Sequence, residues 1–235
     1  MYCSNGSAQR RGRVLCAHVT AASALRVSSV DELREIYGTA APDGVVLDGV
    51  NHCAWVCQDM DRTVRFWCGV LGLRLTKTIS LMDGGQHFFM SAGRGASVAY
   101  FWFPNAPANA PGVASVDVQK MYESGNFSTA HGSVNHVAFN VDRERLRDYR
   151  RKVKAIAGDV DQGFERVTCT PILYHSDDTE TGYEASRSSG TTWESFYFTG
   201  PDGEYLEMTA QTEREFTPDR DIQHVPKTAD DAVHE

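Results

Sequence analysis

Two histidines and one glutamate stand out for the metal chemistry they could share. His52 and His136 hold the same place in a repeated segment, Val50-Asn51-His52-Cys53-Ala54-Trp55 and Val134-Asn135-His136-Val137-Ala138-Phe139, offset by 84 residues (136 − 52). Repetition at this scale signals two copies of one supersecondary unit around a common core, which would carry two imidazoles toward one centre. A lone strand histidine is more often a hydrogen-bonded core residue; two at equivalent repeat positions reverse that reading. Glu207 lies in Tyr205-Leu206-Glu207-Met208-Thr209, where alternation puts it on one face with Tyr205 and puts Leu206 and Met208 on the other. Apolar neighbours predict a strand buried enough to make a bare carboxylate costly without a partner. Two imidazoles and a carboxylate suit a divalent first-row metal. Gathered on one side of it, they make the facial triad of non-haem iron(II) oxygenases, with adjacent coordination positions open.

The elements that must position these groups are legible from periodicity. Residues 47–57 alternate, with Val50, His52, Ala54 and Val56 on one face and Cys53, Trp55 and Cys57 on the other. Asp59 or Asp61 caps a helix whose residues Val64, Phe66, Trp67, Val70 and Leu71 face inward, and Gly72 ends it. Three β-rich runs follow, at 73–79, 86–91 and 97–103, so the first unit reads β-α-β-β-β over 46–104. A Pro/Ala/Asn/Gly stretch opens a linker, 105–130, with a short helix near 116–122. The second unit, 131–211, repeats the order: a strand at 133–141, a helix at 143–155 with Leu146, Tyr149 and Val153 on one face, and strands near 166–174, 192–199 and 204–210. The polar stretch 175–190 reads as a long surface loop. Residues 1–45 form an extension with one helix, started at Ser29 and closed by Gly38, and residues 212–235 read as a flexible C-terminal tail.

Composition bounds the possibilities. The 235 residues carry a net charge of −8, which argues against a nucleic-acid or anionic-membrane surface. No apolar run approaches the roughly 20 residues of a membrane span. Arg10-Arg11-Gly12-Arg13 before Val14–Leu25 imitates an export signal, but His18, Thr20 and Ser23 dilute it, and an extension is the expectation. The six cysteines, at 3, 16, 53, 57, 68 and 169, form no C-x-x-C pair and no disulfide framework, and free thiols suit a cytoplasmic protein.

The two Val-Asn-His strand starts, the Phe66-Trp67-Cys68-Gly69-Val70-Leu71-Gly72 helix end and the Gly200-Pro201-Asp202-Gly203-Glu204-Tyr205-Leu206-Glu207 turn and strand together resemble the vicinal oxygen chelate superfamily of glyoxalases, bleomycin resistance proteins and extradiol dioxygenases. The resemblance covers roughly 46–211. It implies an α+β fold in which two βαβββ modules form a cupped, partly closed mixed β-sheet with a central metal site, held by His52, His136 and Glu207.

Within that superfamily the chain is most similar to the extradiol dioxygenases. Glyoxalase-type relatives use a fourth protein ligand; the repeat-equivalent of Glu207 here is Ala99, which leaves three. Tyr197, ten residues before Glu207, resembles the tyrosine that hydrogen-bonds a substrate oxygen, and His87 resembles the acid/base histidine of those enzymes. The second histidine of the signature falls near Ser188 and is missing, with His175 upstream as the substitute. Phe89, Tyr100, Trp102 and Trp193 lie on the expected cup strands and would line the substrate pocket. The resemblance thus implies a homo-oligomer that loads Fe(II), with Mn(II), Zn(II) or Ni(II) as alternatives, and cleaves a catechol-like small aromatic with O2. Two other readings stay open: an oxygen-independent isomerase, lyase or epoxide-opening enzyme using the same ligands, and a non-catalytic binding protein.

Overall fold

Alternating exposure after Asn51 starts the first strand, and Asp59 stops it: its carboxylate accepts from Arg62 N–H at 3.0 Å and caps a helix. The computed structural model describes residues 28–38, 47–176, 183–212 and 217–227. The export-like stretch, Cys3, Cys16 and part of the 175–190 segment lie outside them. The chain divides into two compact units, Met1–Gly44 with Phe216–Glu235, and Val45–Glu215.

In the first unit, α1 (Val30–Tyr37) is capped by Ser29, and the Glu32 carboxylate turns back to accept from Ser28 N–H at 2.9 Å. Arg34 donates to the carbonyls of Ile222 and Asp219 beside α5 (Pro218–Asp221), so the stretch read as a flexible tail carries a short anchored helix.

The second unit holds both modules. The first comprises β1 (His52–Cys57), α2 (Met60–Val64, continued as a π-helix over Arg65–Val70), β2 (Leu75–Ser80), β3 (Gln86–Gly93) and β4 (Ala96–Trp102), paired in the order β1-β4-β3-β2. After α3 (Val118–Ser124) the second module follows with β5 (Val137–Asn140), α4 (Arg143–Ile156), β6 (Leu173–Ser176), β7 (Tyr183–Glu184), β8 (Thr191–Thr199) and β9 (Tyr205–Gln211), ordered β5-β9-β8-β6-β7. In each, the first strand runs parallel to the last and the other pairs are antiparallel. This is the α+β architecture of paired βαβββ modules that the repeat predicts.

Two local expectations need correction. The run 166–174 is mostly irregular, with an isolated bridge from Cys169 to Phe198, and its strand begins only at Leu173. His175 belongs to β6 rather than to a loop, because β8 and β7 pair with it on both sides. The described strands form two mixed sheets, one from each module.

The reason lies in what the modules bury. Phe66, Trp67, Tyr100, Leu146, Phe196, Phe198 and Leu206 are at most 1% exposed and belong to one core shared by both modules. Trp67 meets Phe139 edge-on at 5.6 Å, and Phe66 lies 6.3 Å from Phe198. Each such aromatic contributes roughly 1.5–3 kcal/mol by burial. The wholly buried carboxylate of Glu194, on the inner face of β8, is neutralised by Arg143 of α4 at 2.6 Å, with Arg187 at 3.6 Å and Arg147 at 3.9 Å. Strand alternation then turns the opposite faces, which carry His52, His136 and Glu207, away from that core.

Candidate metal centre

Glu207 of β9 stands between Ala138 of β5 and Tyr197 of β8 in the sheet register, on the outward face. His136, one residue before β5, brings its Nε2 to 3.2 Å from Glu207 Oε2. Burial alone would raise the Glu207 carboxyl, but hydrogen bonds from His136 and Ser195 and the nearby His175 outweigh it, and the net shift is downward. Tyr197 and Tyr205 stack at 5.4 Å, and each presents its ring to His136, at 5.6 and 6.3 Å. The Tyr197 hydroxyl is 3.4 Å from His175 Nε2, and burial with the charge of Glu207 pushes it above the usual phenol range. His175 is itself lowered, by burial first. Trp193 is 43% exposed and meets the His175 ring edge-on at 6.4 Å.

His52 lies on the other sheet. Its ring approaches Phe89 at 5.6 Å, and Phe89 lies 4.2 Å from His87, which stacks on Phe101 at 3.6 Å. His87 is 7% exposed, its Nδ1 has no hydrogen-bond partner among the described residues, and burial lowers its pKa, with His52 and Lys77 adding to the effect. Within one chain, therefore, His136 and Glu207 come together while His52 and His87 form a separate cluster. No three histidine, cysteine, aspartate or glutamate side chains among the described residues gather closely enough to hold an ion. The expectation that all three ligands meet inside a single chain fails, because the shared core turns the two ligand-bearing faces outward.

Two of the expected lining residues are misplaced. Tyr100 and Trp102 alternate with Phe101 and so point to the opposite side from His87 and Phe89. Tyr100 is fully buried, stacks on Trp55 at 5.5 Å and donates to Glu204 at 2.6 Å. Trp102 donates its indole N–H to Gln58 O. Ser188, at the place of the missing histidine, closes a turn with Thr191, and His175 instead supplies an imidazole beside Tyr197. Sequence reasoning passed over Ser195 and the two asparagines of the repeat. Asn51 Oδ1 is 2.8 Å from His52 Nδ1, and Asn135 Oδ1 is 2.9 Å from His136 Nδ1. The repeated Asn-His pair itself was the available signal.

The residues present fit a divalent metal. An imidazole nitrogen facing a carboxylate oxygen needs a proton or a cation between them. Two donors each about 2.1 Å from one ion at near-right angles stand about 3 Å apart, close to the separation of this pair. Asparagine bonds behind both histidines leave the Nε2 atoms to face outward, as metal-ligating imidazoles do.

No protein of curated function matches the chain. Among solved structures, fosfomycin resistance protein FosX from Listeria monocytogenes is 16% identical and covers 72% of this chain and 97% of its own, with a TM-score of 0.44. FosX from Mesorhizobium loti is 17% identical over 72% of this chain and 95% of its own, at 0.42. A Listeria form complexed with Mn(II) and sulfate ion, 14% identical, covers 72% and 96% at 0.42. Likeness at this level says nothing about activity. The sequence of residues 49–208, well over half the chain, matches the family described as the Glyoxalase/Bleomycin resistance protein/Dioxygenase superfamily, and the chain belongs to it.

Proposed function

We propose that this chain is a metal-dependent enzyme whose centre is completed between two copies, with His52 from one and His136 and Glu207 from the other. The observation that carries this reading is the His136–Glu207 pair, 3.2 Å apart on an outward face, with the repeat-equivalent histidine on the outward face of the other module. On that second face Val56, on the same side of β1 as His52, is 51% exposed. A second copy laid across it buries that surface, and Phe89 and His87 accompany His52 to the same centre. A homo-oligomer is thus part of the site.

The chemistry that suits three protein ligands is extradiol-type ring cleavage of a catechol-like aromatic with O2. Iron(II), held there by His52, His136 and Glu207, would supply the redox chemistry for a dihydroxylated ring and O2. The chain's own groups do the rest. Tyr197, whose phenol stays protonated at neutral pH, donates a hydrogen bond that orients a substrate oxygen. His175 holds the tyrosine from behind. His87, kept neutral by burial, accepts a proton from a substrate hydroxyl and returns it later. Phe89 and Trp193 offer aromatic surface to the ring.

Oxygen uptake with a panel of catechols after anaerobic Fe(II) loading tests this reading. The expected result is consumption of O2 with a ring-opened, visible-absorbing product, abolished in His136→Ala. Metal-dependent turnover under strict anaerobiosis with Mn(II), Zn(II) or Ni(II) would replace it by an isomerase, lyase or epoxide-opening activity. Failure to bind any metal, with small-aromatic affinity unchanged in His136→Ala, would leave only a binding protein.

A further inference from the structure

We propose that the cavity lined by both modules is a second small-molecule site, separate from the metal centre, and that it takes an organic monoanion with an apolar body. The cavity measures about 800 Å³, within the roughly 300–1,000 Å³ of small-ligand sites. Trp67, Leu71 and Met208, each at most 4% exposed, give it an apolar floor together with Phe139. On one side it borders residues 137–141, where β5 pairs with β9 alone and leaves its other edge uncovered by any strand among the described residues. None of His52, His87, His136, Tyr197 or Glu207 borders it. Cys53 does, because alternation turns it to the opposite side of β1 from His52. Occupancy of this cavity thus requires no metal.

Charge along the cavity selects the ligand. The charged residues that border it are Asp48, Arg74, Arg94, Asp142 and Arg145. Arg145 pairs with Asp142 at 3.8 Å. Arg74 and Arg94 are left opposed only by Asp48, one positive charge in excess on a chain of net charge −8. Neither guanidinium has an ion pair or hydrogen bond among the described residues. The backbone sets both at the hairpin end of the first sheet. Ser91 N–H donates to Arg74 O at 2.9 Å, and Gly93 pairs with Ala96, so Arg94 and Gly95 form the two-residue turn between β3 and β4. Both have positive φ, 47° and 82°, as a type I′ turn requires. Arg94 is the one non-glycine residue of positive φ among the described residues. Glycine or asparagine suits that position better, so arginine carries a conformational cost there. No contact of its guanidinium within the described chain offsets that cost. An anion held at the cavity mouth, with its apolar part on Trp67 and Met208, would.

Isothermal titration of 1-naphthoate and octanoate into the full chain, freed of metal with EDTA, tests the site with one aromatic and one aliphatic monoanion. At least one is expected to bind saturably, one per chain, and at least about tenfold more tightly than its neutral amide. Arg74→Gln and Arg94→Gly are each expected to weaken that anion about tenfold and to leave the amide unchanged. Glycine also relieves the turn, so Arg94→Gly should unfold at the same denaturant concentration as the wild type or at a higher one. Lys77→Gln, on β2 beside Phe89 of the outward face, should bind as the wild type does. No saturable binding of either anion up to its solubility limit overturns the proposal. So does equal affinity for the amide, unchanged affinity in both arginine variants, or a loss in Lys77→Gln that places the anion on the outward face. If one arginine variant fails to fold, the other and the amide comparison decide.

Discussion

Glu204 illustrates how one side chain can be both structural and pH-dependent. It lies buried at the junction of the modules, accepts from Tyr100 O–H at 2.6 Å and from Asp202 N–H at 3.0 Å, and is pushed up to about 7, chiefly by burial. Gly200 is required beside it, since a Cβ there would sit 2.2 Å from Glu204 Oε1. The unfolded chain releases this proton near 4.5, whereas the folded chain keeps it to about 7. The folded state therefore binds more protons between those values, and stability falls as pH rises through that window and levels off above it. Glu204→Gln is expected to flatten the fall, which amounts to on the order of 3 kcal/mol. Denaturant midpoints for both proteins at pH 5, 6, 7 and 8 check this, and parallel curves would refute it. At the residue scale the sequence nominated His52 and His136 through their repeat positions and Glu207 through strand alternation, and the family resemblance nominated Tyr197. It hid Glu204, whose environment comes from Tyr100, remote in sequence.

Among the elements, α2 was legible and its continuation was not. Asp59 and the apolar spacing mark a helix, but Phe66 and Trp67 are adjacent and both buried, which one α-helical stripe accommodates poorly. The π-turn, with Leu71 N–H bonded to Phe66 O at 3.1 Å, widens the helix so that both rings reach the core. Trp67→Ala is expected to cost about 3–5 kcal/mol, because it opens a cavity where both modules meet. A loss under 1 kcal/mol by denaturant unfolding would contradict a shared core. Strand β6 was the element misread, since the polar composition around His175 resembles a loop and only pairing with β8 and β7 makes it a strand. The same holds for Tyr100 and Trp102: placing them on β4 was correct, but a strand has two faces, and aromatic type alone does not choose between them.

At the scale of the whole molecule, the position of the ligands makes a prediction about assembly. Each proposed centre takes His52 from one copy and His136 with Glu207 from the other, so two defective variants should complement each other. His52→Ala and Glu207→Ala are each expected to lose high-affinity Co(II) binding. Refolded together in equal amounts, they should regain about a quarter of the wild-type sites, since half the dimers are mixed and each mixed dimer has one intact centre. Titration with Co(II), alongside size-exclusion chromatography for the dimer, gives the count. No recovery in a mixture shown to contain mixed dimers would return the three ligands to a single chain or to no common site.

Sequence by itself determined the duplication, the βαβββ order, the identities of the candidate ligands and the face of the strand on which each stands. These follow from local periodicity and capping, which act over a few residues. Only the tertiary structure decided which faces the two modules turn toward each other. That choice depends on where Phe66, Trp67, Tyr100 and Phe198 find their largest burial. By taking the inner faces for the core, the chain leaves His136 beside Glu207 and holds His52 on another sheet.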